Sequence, residues 1–354
     1  MPLDIPQRKT GPLTAIEGEF PVDEAVVALF PPNAFVLSAD AHGDSAWTQT
    51  GKVMVEYPDG TLKTYFLKLA LGEHGQTLLR GEFTAIDTLN TLIPGLVPVP
   101  LAWGKYSFSP PETYFFIQDF RDMDMSLPKP SKLIPRVVQM HSLTSPNGKF
   151  GFPVTTSDGI APHINDWEDN WTHFFTRLMR KSIELNKELN TDWPEFNLAA
   201  ERLLAVVIPR LLDHLREDRG PVMPRLIHGD LRGGNIGTDE ETGEIIFFDA
   251  GSFYAHNELD IATWRRYGLQ NLGRRYVDEY NSIFPPAEPE AEFDDRSRLY
   301  SLKFDLNHSS GHPGDTARDV AFNNMVYLCC KYASGEGLPD YEPTKDPSSG
   351  LAYI

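Results

Sequence analysis

The pattern of apolar residues changes once along this chain of 354 residues, near Leu127. Before that point, short apolar runs alternate with turn residues, which is typical of β-strands. After it, apolar residues recur at the spacing of amphipathic helices over long stretches. We therefore predict an α+β fold with two lobes, a small β-rich lobe at residues 1–118 and a larger, mainly helical lobe at residues 119–354.

The N-terminal part of the sequence predicts a small sheet of about five strands and one helix. The turn sequence Pro58-Asp59-Gly60 lies between two apolar runs and indicates a β-hairpin. Leu78–Leu92 has apolar residues at helical spacing. A short helix is expected at Val22–Phe30, and the expected strands include Trp47–Tyr57, Leu62–Leu69, Leu101–Tyr106 and Tyr114–Gln118.

The C-terminal part predicts mainly helices. Strands in this part are short, chiefly Arg225–His228 and Glu244–Phe248. The predicted helices are Ile134–Leu143, Trp167–Leu189, Phe196–Arg216, Asp260–Phe284 and Arg296–His308.

Charge and cysteine content limit the classes of partner and location. With 32 Lys and Arg against 50 Asp and Glu, the net charge is −18, which disfavours nucleic acid and anionic membranes as partners. An anionic cofactor would need a locally positive pocket or a metal. Cys329 and Cys330 are adjacent and cannot join distant segments by a disulfide. Because the sequence also has neither a leader-like N-terminus nor an apolar run of about 18 residues, we expect a cytoplasmic protein.

The strongest chemical signal is a glycine-containing loop with an aspartate and an asparagine. Asp230 and Asn235 have four residues between them, and Asp249 ends the next apolar strand. Phosphoryl transfer needs one carboxylate that accepts the proton of the attacking hydroxyl, here Asp230, and hard oxygen ligands for Mg²⁺, here Asn235 and Asp249. The spacing equals that of the protein-kinase catalytic loop. His228, which precedes the turn, is more typical of a packed group that holds the loop than of a proton shuttle.

A second signal is a lysine inside an apolar strand. Lys68 would be costly to bury without a partner, and Glu82, on the helix that follows, can supply the opposite charge. Such a pair orients the α and β phosphates of a nucleotide. The alternative is that Lys68 faces solvent on an edge strand.

One turn precedes Lys68 and has the small residues that a phosphate-covering turn requires. It includes Gly43, Asp44 and Ser45, whose backbone amides are candidates for phosphate contact. It is not a Gly-x-Gly-x-x-Gly sequence, so the signal is weak by itself. The Asp44 carboxylate, an anion, would face phosphate only through a metal.

Together these residues resemble the fructosamine kinase (ketosamine 3-kinase) family, within the aminoglycoside phosphotransferase-like kinases. The similarity covers roughly residues 35–315 in the expected order. The blocks that carry it are Asn147-Gly148-Lys149-Phe150-Gly151-Phe152, Asn165-Asp166-Trp167, Trp171-Thr172-His173-Phe174-Phe175, His228-Gly229-Asp230-Leu231, Gly234-Asn235, Phe248-Asp249, Ser252-Phe253-Tyr254-Ala255-His256-Asn257-Glu258 and Leu306-Asn307-His308.

The resemblance implies a protein-kinase-like fold and transfer of the γ-phosphate of ATP, with Mg²⁺, to a sugar hydroxyl of a ketosamine. The acceptor is typically the 3-hydroxyl of a fructosyl- or ribulosyl-lysine, free or protein-bound, and the phosphoester then decomposes and frees the amine. It also implies that backbone groups of Gln118, Asp119 and Phe120 hold the adenine. It places His308 in the substrate pocket, and Trp167 and Asn165 either shape this pocket or are a buried aromatic with a helix-capping neighbour. Arg232, at a position that flanks the bound sugar-amine in the family, is a further substrate candidate.

The chain departs from the family pattern at two places. Arg232, two residues after the base, stands where the family usually has a tryptophan. Arg232 would either stack on the acceptor as the tryptophan does or select a more anionic acceptor. Ala250-Gly251 replaces the usual Pro-Ala after the metal-binding aspartate. Two other functions stay open: phosphorylation of an aminoglycoside or another metabolite, against which residues 147–175 argue, and nucleotide binding without turnover. The sequence leaves the oligomeric state undetermined.

Overall fold

The computed structural model describes residues 20–108, 110–217, 220–265 and 272–349. These residues form two compact units. The first extends to Asp124 and also includes Thr238–Asp249, and the second consists of the remaining residues from Met125 onward. The first 19 residues of the predicted N-terminal lobe, and residues 266–271 of the predicted helix Asp260–Phe284, lie outside the described residues. The predicted division after residue 118 stays a prediction.

The first unit contains an antiparallel sheet of five strands, as the sequence predicts. Its strands are β1 (Phe35–Ala41), β2 (Gln49–Glu56), β3 (Leu62–Leu71), β4 (Pro100–Lys105) and β5 (Thr113–Asp119), in the order β1-β2-β3-β5-β4. The predicted hairpin joins β2 to β3, where the amide of Tyr57 donates to the carbonyl of Thr61 at 2.8 Å. In this register Lys68 lies opposite Thr50 on one side and Phe116 on the other, so it occupies a central strand. The alternative of an exposed edge-strand lysine is therefore wrong.

The two faces of this sheet differ. Alternate residues of β3 enter a hydrophobic core on one face, because successive side chains of a strand point to opposite sides. That core contains Tyr65, Leu67 and Leu69 with Phe20, Val26, Phe30, Val53, Val55 and Ile117. The short helix α1 (Glu24–Val27) contributes Val26 and is shorter than predicted. Phe66 and Lys68 belong to the opposite set of β3 residues.

The helix α2 (Gly72–Leu92) begins earlier than the predicted Leu78. The sequence between these residues contains His74 and Gly75, which favour a turn more than a helix. In the structure, a Cβ at position 75 would lie 2.6 Å from the carbonyl carbon of Ala70. Glycine is therefore required by close packing of the helix against β3, and this tertiary contact outweighs its weak helix propensity.

The second unit is mainly helical. Its helices are α3 (Pro130–His141), α4 (Trp171–Leu189), α5 (Pro194–Arg202), α6 (Ile208–Leu212), α7 (Glu258–Ile261), α8 (Gly273–Ile283), α9 (Phe293–Gly311) and α10 (Ala317–Tyr332). The prediction that α4 begins at Trp167 is wrong, because the side chain of Asn170 accepts a hydrogen bond from the His173 amide at 2.9 Å and caps the helix there. The predicted single helix Phe196–Arg216 is divided by a π-helical turn at Leu203–Val207.

Short strands position the residues of interest. They are β6 (Met123–Asp124), β7 (Ser157–Asp158), β8 (Ala161–Pro162), β9 (Arg216–Glu217), β10 (Gly220–Pro221), β11 (Arg225–Ile227), β12 (Ile236–Asp239), β13 (Ile245–Phe247) and β14 (Phe253–Ala255). β13, β12 and β6 form one small sheet, and the amide of Phe247 donates to the carbonyl of Leu96 at 2.8 Å. This contact ties the segment before Asp249 to the first unit. β11 pairs with β14, and β7 with β8.

Candidate functional site

Lys68 of the first unit contacts two carboxylates. Its Nζ donates to Glu82 Oε1 at 2.6 Å, and it also contacts Asp249 Oδ1. The predicted pairing of Lys68 with Glu82 is confirmed, and Asp249 is an additional partner that no sequence signal indicated. We call these three residues the charge cluster. The side chains of Lys68 and Glu82 are buried, whereas that of Asp249 is 45 % exposed. The cluster therefore presents one accessible carboxylate.

The charge cluster has two carboxylates and one ammonium group, and this excess of negative charge affects the pKa values of its members. Burial opposes the charged form of Lys68, but the nearby carboxylates of Asp249 and Glu82 outweigh it and raise the lysine pKa. Burial, together with the negative charge of Asp249, raises the pKa of Glu82 to about 7, against the opposing effect of Lys68. Bringing a cation to the exposed carboxylate of Asp249 would relieve this excess of negative charge. Asp249 also has a φ of +58°, a conformation that few residues other than glycine adopt.

The predicted phosphate turn joins β1 to β2. Gly43 has a φ of +80°, and Asp44 is exposed. Ser45 is the organising residue, because its hydroxyl oxygen accepts hydrogen bonds from the amide of Thr48 at 3.2 Å and from the Thr48 hydroxyl at 2.8 Å. The turn thus has a defined shape. Its contact with phosphate stays a prediction.

The segment predicted to hold adenine is the end of β5. Gln118 is buried, and the backbone amides of Asp119 and Phe120 donate to the carbonyls of Val99 at 2.9 Å and Thr64 at 3.0 Å. These two amides are therefore occupied by protein acceptors. Any recognition of adenine in this segment would use other groups, and the assignment of these three residues stays a prediction.

Aromatic and cationic side chains that sequence reasoning missed surround Phe120. The ring of His42 meets the ring of Phe120 edge-on at 5.0 Å, and the ring of Phe66 at 6.3 Å. Lys52 Nζ lies 3.9 Å from the centroid of the Phe120 ring. Phe66 and Lys68 occupy alternate positions of β3, and the ammonium lies 5.9 Å from the Phe66 ring. Only the strand alternation of Phe66 with Lys68 could have indicated this surface from sequence.

In the second unit the predicted catalytic loop follows β11. Gly229 has a φ of +88°, and a Cβ there would collide with the carbonyl oxygen of Gly251, so glycine is required for both reasons. A short 3₁₀ turn at Gly233–Asn235 completes the loop. This geometry brings Asn235 back toward Asp230.

Asp260 supports the loop, and sequence reasoning missed it. Its Oδ2 accepts from the His228 amide at 2.8 Å and its Oδ1 from the Gly229 amide at 2.9 Å, while His141 Nε2 lies 3.1 Å from Oδ2. Burial would raise the pKa of Asp260, but the hydrogen bond and charge interaction with His141 and the contacts of His228 lower it overall. Its only sequence signal was its place within the predicted helix Asp260–Phe284.

The base candidate is held on one oxygen only. Asp230 Oδ2 accepts from Asn235 Nδ2 at 2.9 Å and from Arg232 Nε at 3.1 Å. Asp230 Oδ1 and Asn235 Oδ1 are buried and have no hydrogen-bond partner among the described residues. An unpartnered buried amide oxygen is costly, and it suits a hard divalent cation such as Mg²⁺. The donor set at Asn235 therefore fits the predicted ion.

The other predicted substrate residues have varied surroundings. The Trp167 ring is half-buried and stacks on Tyr254 at 6.2 Å. Asn165 is buried, and its amide donates to the carbonyl of Val154 and the hydroxyl of Thr156, both at 3.1 Å. The His308 ring stacks on His312 at 4.4 Å. These three lie in the second unit with Arg232, and their substrate roles stay predictions.

Two features are absent from the described residues, a multidentate metal site and a membrane-spanning helix. No group of three or more His, Cys, Asp and Glu side chains in the described ranges could hold a metal ion. Magnesium sites in kinases typically use only one or two protein carboxylates, with phosphate oxygens completing the shell, so this finding is compatible with the predicted ligands. None of the helices in the described part of the chain has the length and apolar character needed to cross a bilayer.

Comparison with solved structures defines the class. A candidate fructosamine-3-kinase from Thermobifida fusca superposes with a TM-score of 0.65 at 23 % identity, covering 83 % of this chain and 94 % of that one. A thermostable mutant of an aminoglycoside phosphotransferase, in ternary complex with ADP and hygromycin B, gives a TM-score of 0.55 at 14 % identity, covering 89 % and 99 %. The predicted α+β, protein-kinase-like fold is confirmed.

Sequence comparison identifies the family. The family model described as fructosamine kinase matches residues 45–322, and the chain belongs to this family. Mouse ketosamine-3-kinase is 33 % identical over 181 residues, 51 % of this chain and 54 % of the mouse protein, so the chain spans about half the length of that relative. A chloroplastic protein-ribulosamine 3-kinase of Oryza sativa subsp. indica is 27 % identical over 248 residues, 69 % of this chain and 67 % of the rice protein.

Proposed function

We propose that this protein transfers the γ-phosphate of ATP to a sugar hydroxyl of a ketosamine, such as the 3-hydroxyl of ribulosyl- or fructosyl-lysine. The observation that carries the proposal is the geometry of Asp230, within a chain that belongs to the fructosamine kinase family. The phosphoester product would decompose and free the amine, so the activity would repair glycated amines. We also propose that the protein acts in the cytoplasm.

Asp230 would act as the general base. Its Oδ2 is fixed by Asn235 and Arg232, which orients the carboxylate and leaves Oδ1 to accept the proton of the attacking hydroxyl. Holding one oxygen with two donors reduces the rotational freedom of the carboxylate before the acceptor arrives. Such positioning lowers the barrier without forming a covalent intermediate.

The charge cluster would bind and orient the nucleotide. Lys68, held by Glu82, would direct its ammonium to the α and β phosphates. Asn235 Oδ1 and the exposed carboxylate of Asp249 would hold Mg²⁺. When bound, this ion neutralises charge that develops on the phosphate oxygens.

Other groups of the first unit would complete the ATP site. The turn at Gly43–Ser45 has a shape fixed by the Ser45 hydroxyl and would cover the phosphates with backbone amides. The rings of His42, Phe66 and Phe120 offer an apolar surface on which a purine could pack. Lys52 beside Phe120 adds positive charge in a chain that is otherwise strongly acidic.

The test is the release of ADP with Mg²⁺, with ribulosyl-lysine, fructosyl-lysine and an aminoglycoside assayed separately. The Asp230→Asn variant is the blank. We expect both ketosamines to stimulate ADP release and the aminoglycoside to leave it at the level without acceptor. Stimulation by the aminoglycoside alone would assign the protein a different acceptor within the same fold. ATP binding with no stimulation by any acceptor would leave a nucleotide-binding protein without turnover.

A further inference from the structure

A buried group of polar side chains lies on the β7–β8 hairpin and α9 of the second unit. It consists of Ser157, Asp158, His163, Lys303 and Asn307, which we call the hairpin cluster. Lys303 Nζ donates to Asp158 Oδ2 at 3.1 Å, and Asn307 Nδ2 donates to the same oxygen at 2.9 Å. The side chain of Lys303 is 1 % exposed and that of Asp158 is 16 % exposed. Burying a lysine this completely is costly, and one ion pair with a carboxylate offsets only part of the cost.

Three polar atoms of the hairpin cluster are left without partners. Ser157 Oγ, His163 Nε2 and Asn307 Oδ1 are buried and have no hydrogen-bond partner among the described residues. Each such atom costs on the order of a hydrogen bond, and three in one place are unusual for a purely structural group. A ligand or ordered water that supplies the missing partners would remove the cost.

The hydrogen bonds around His163 favour one of its two neutral tautomers. Asn165 Nδ2 donates to Thr156 Oγ1 at 3.1 Å, and Thr156 Oγ1 lies 3.0 Å from His163 Nδ1. Because the Thr156 oxygen already accepts from Asn165, its hydroxyl proton is available to Nδ1, and in that arrangement the imidazole proton lies on Nε2. Burial, together with the nearby charge of Lys303, lowers the pKa of His163 well below its usual range, so the ring is neutral. In this tautomer the unpartnered Nε2 is a hydrogen-bond donor, and the buried Asn165 supports it through Thr156.

The hairpin cluster adjoins the catalytic loop within the second unit. A Cβ at Gly251 would lie 2.6 Å from the carbonyl oxygen of Ser157 and 3.5 Å from His163 Cε1. On the other side, the carbonyl of Gly251 packs against Gly229, which precedes Asp230. One glycine-containing segment therefore separates the cluster from the base, and the same helix α9 carries His308 beside Asn307.

We infer that the hairpin cluster binds the sugar hydroxyls of the acceptor and sets which sugar is accepted. Its donors are Lys303 Nζ and His163 Nε2, and its acceptors are Asp158 and Asn307 Oδ1. The Ser157 hydroxyl can do both. A polyhydroxylated chain presents donors and acceptors on neighbouring carbons, and this mixed set matches that pattern.

This inference rests on the proposed function, and its test compares two sugars. Ribulosyl- and fructosyl-lysine differ by one hydroxyl-bearing carbon, so their ratio of kcat/KM reports directly on hydroxyl recognition. We expect Lys303→Met to raise the KM for ketosamine by about tenfold or more and to change this ratio. The matched control is Lys149→Met, because Lys149 pairs with Asp169 at a similar 3.0 Å on the surface of the same unit. Lys149→Met should leave the KM for ketosamine and the ratio of kcat/KM for the two sugars at their wild-type values.

A second variant protects the test against misfolding. Ser157→Ala removes one unpartnered hydroxyl and leaves the ion pair of Lys303 with Asp158 intact, so it should fold even if Lys303→Met does not. We expect calorimetric titration of fructosyl-lysine, with a non-hydrolysable ATP analogue present, to show weaker binding by this variant and a changed ribulosyl-to-fructosyl preference.

The outcomes separate the two claims. If the wild type phosphorylates ketosamines and either folded variant of the cluster keeps both the KM and the sugar preference, the cluster is an internal ion pair with buried water and the inference is overturned. If the wild type phosphorylates no ketosamine, the proposed function fails and this inference fails with it.

Discussion

The two units hold their functional groups in different ways. In the first, the charge cluster brings together three ionisable groups, Lys68, Glu82 and Asp249, and Asp249 comes from a distant part of the sequence. In the second, a single buried carboxylate, Asp260, receives two backbone amides of the catalytic loop and contacts His141. One arrangement depends on charge and the other on hydrogen bonds to a fixed backbone.

The pKa values show what this difference means. Burial and an excess of negative charge raise the pKa of Glu82 to about 7. For Asp260, the contacts of His141 and His228 overcome burial and lower the pKa. In the proposed function, the first arrangement would respond to charge brought by a nucleotide or a cation near neutral pH, whereas the second would keep its ionisation state. The comparison sets a charge-responsive cluster against a loop that is held by fixed hydrogen bonds.

The largest expected effect is on turnover. Asp230→Asn should lower kcat by about 10²–10⁴-fold, because it removes the base but keeps an oxygen for the Asn235 and Arg232 donors. The KM for ATP and the free energy of unfolding should change little. Steady-state kinetics measures kcat and the KM for ATP, and urea denaturation measures the free energy of unfolding. A variant with most of the wild-type kcat would remove Asp230 from the role of base.

The second largest effect is expected for Asp260, which supports the loop that contains Asp230. Asp260→Asn leaves one oxygen for two backbone amides, so we expect a loss of about 3 kcal/mol in the free energy of unfolding, together with a lower kcat. The control is Asp169→Asn, a change at an exposed carboxylate of the same unit. If urea denaturation shows that Asp260→Asn lowers the free energy of unfolding no more than Asp169→Asn does, Asp260 does not stabilise the loop.

The stabilisation from Asp260 has a defined pH range. Because its pKa is lowered from the ordinary 3.8, its contribution is present above that value and is lost as the pH falls further. Glu82 should behave in the opposite way. Its pKa is raised from 4.5 to about 7, so the folded state binds more protons than the unfolded state and stability falls as the pH rises through this interval.

The Glu82 effect is tested by its slope with pH. We expect the urea midpoint of the wild type to fall relative to that of Glu82→Gln between about pH 5 and pH 7. Loss of the contact with Lys68 shifts the midpoint of Glu82→Gln by a constant amount at every pH. The difference between the two slopes with pH therefore reports the titration of Glu82. If the urea midpoints of the two proteins change in parallel with pH, Glu82 is ionised throughout this range. The proposed difference in pKa behaviour between the two units would then be wrong.

The smallest expected effect concerns acceptor binding beside the base. Arg232→Trp removes one donor to Asp230 and supplies an aromatic ring, so we expect a several-fold lower KM for fructosyl-lysine if stacking on the acceptor is what this position provides. Arg232→Leu, which neither donates nor stacks, is the control. Equal KM values in wild type and Arg232→Trp would indicate that Arg232 faces away from the acceptor.

Much of this architecture could be predicted from sequence, because local patterns specify it. The β2–β3 hairpin follows from its turn residues, and the contact of Lys68 with Glu82 follows from the cost of burying a lysine. Asp230 and Asn235 were found by their spacing, and the structure brings them together.

The remaining features depend on tertiary contacts that have no local signal. The helix at Gly72–Leu92 begins before its first apolar periodic residues, and there Gly75 packs closely against Ala70. Asp260 is one aspartate among many until its three hydrogen-bonding partners are seen. Likewise His42 and Lys52 contact the ring of Phe120, and Phe66 that of His42, only after the strands pair.

The central claim is that Asp230 directs a phosphate onto a ketosamine hydroxyl. The most direct measurement follows ribulosyl-lysine by mass spectrometry during incubation with Mg²⁺-ATP. We predict a phosphorylated adduct that appears with the wild type, decays to free lysine without further enzyme, and does not form with Asp230→Asn. ADP release with no phosphorylated adduct, or the same adduct formed by the variant, would contradict the claim.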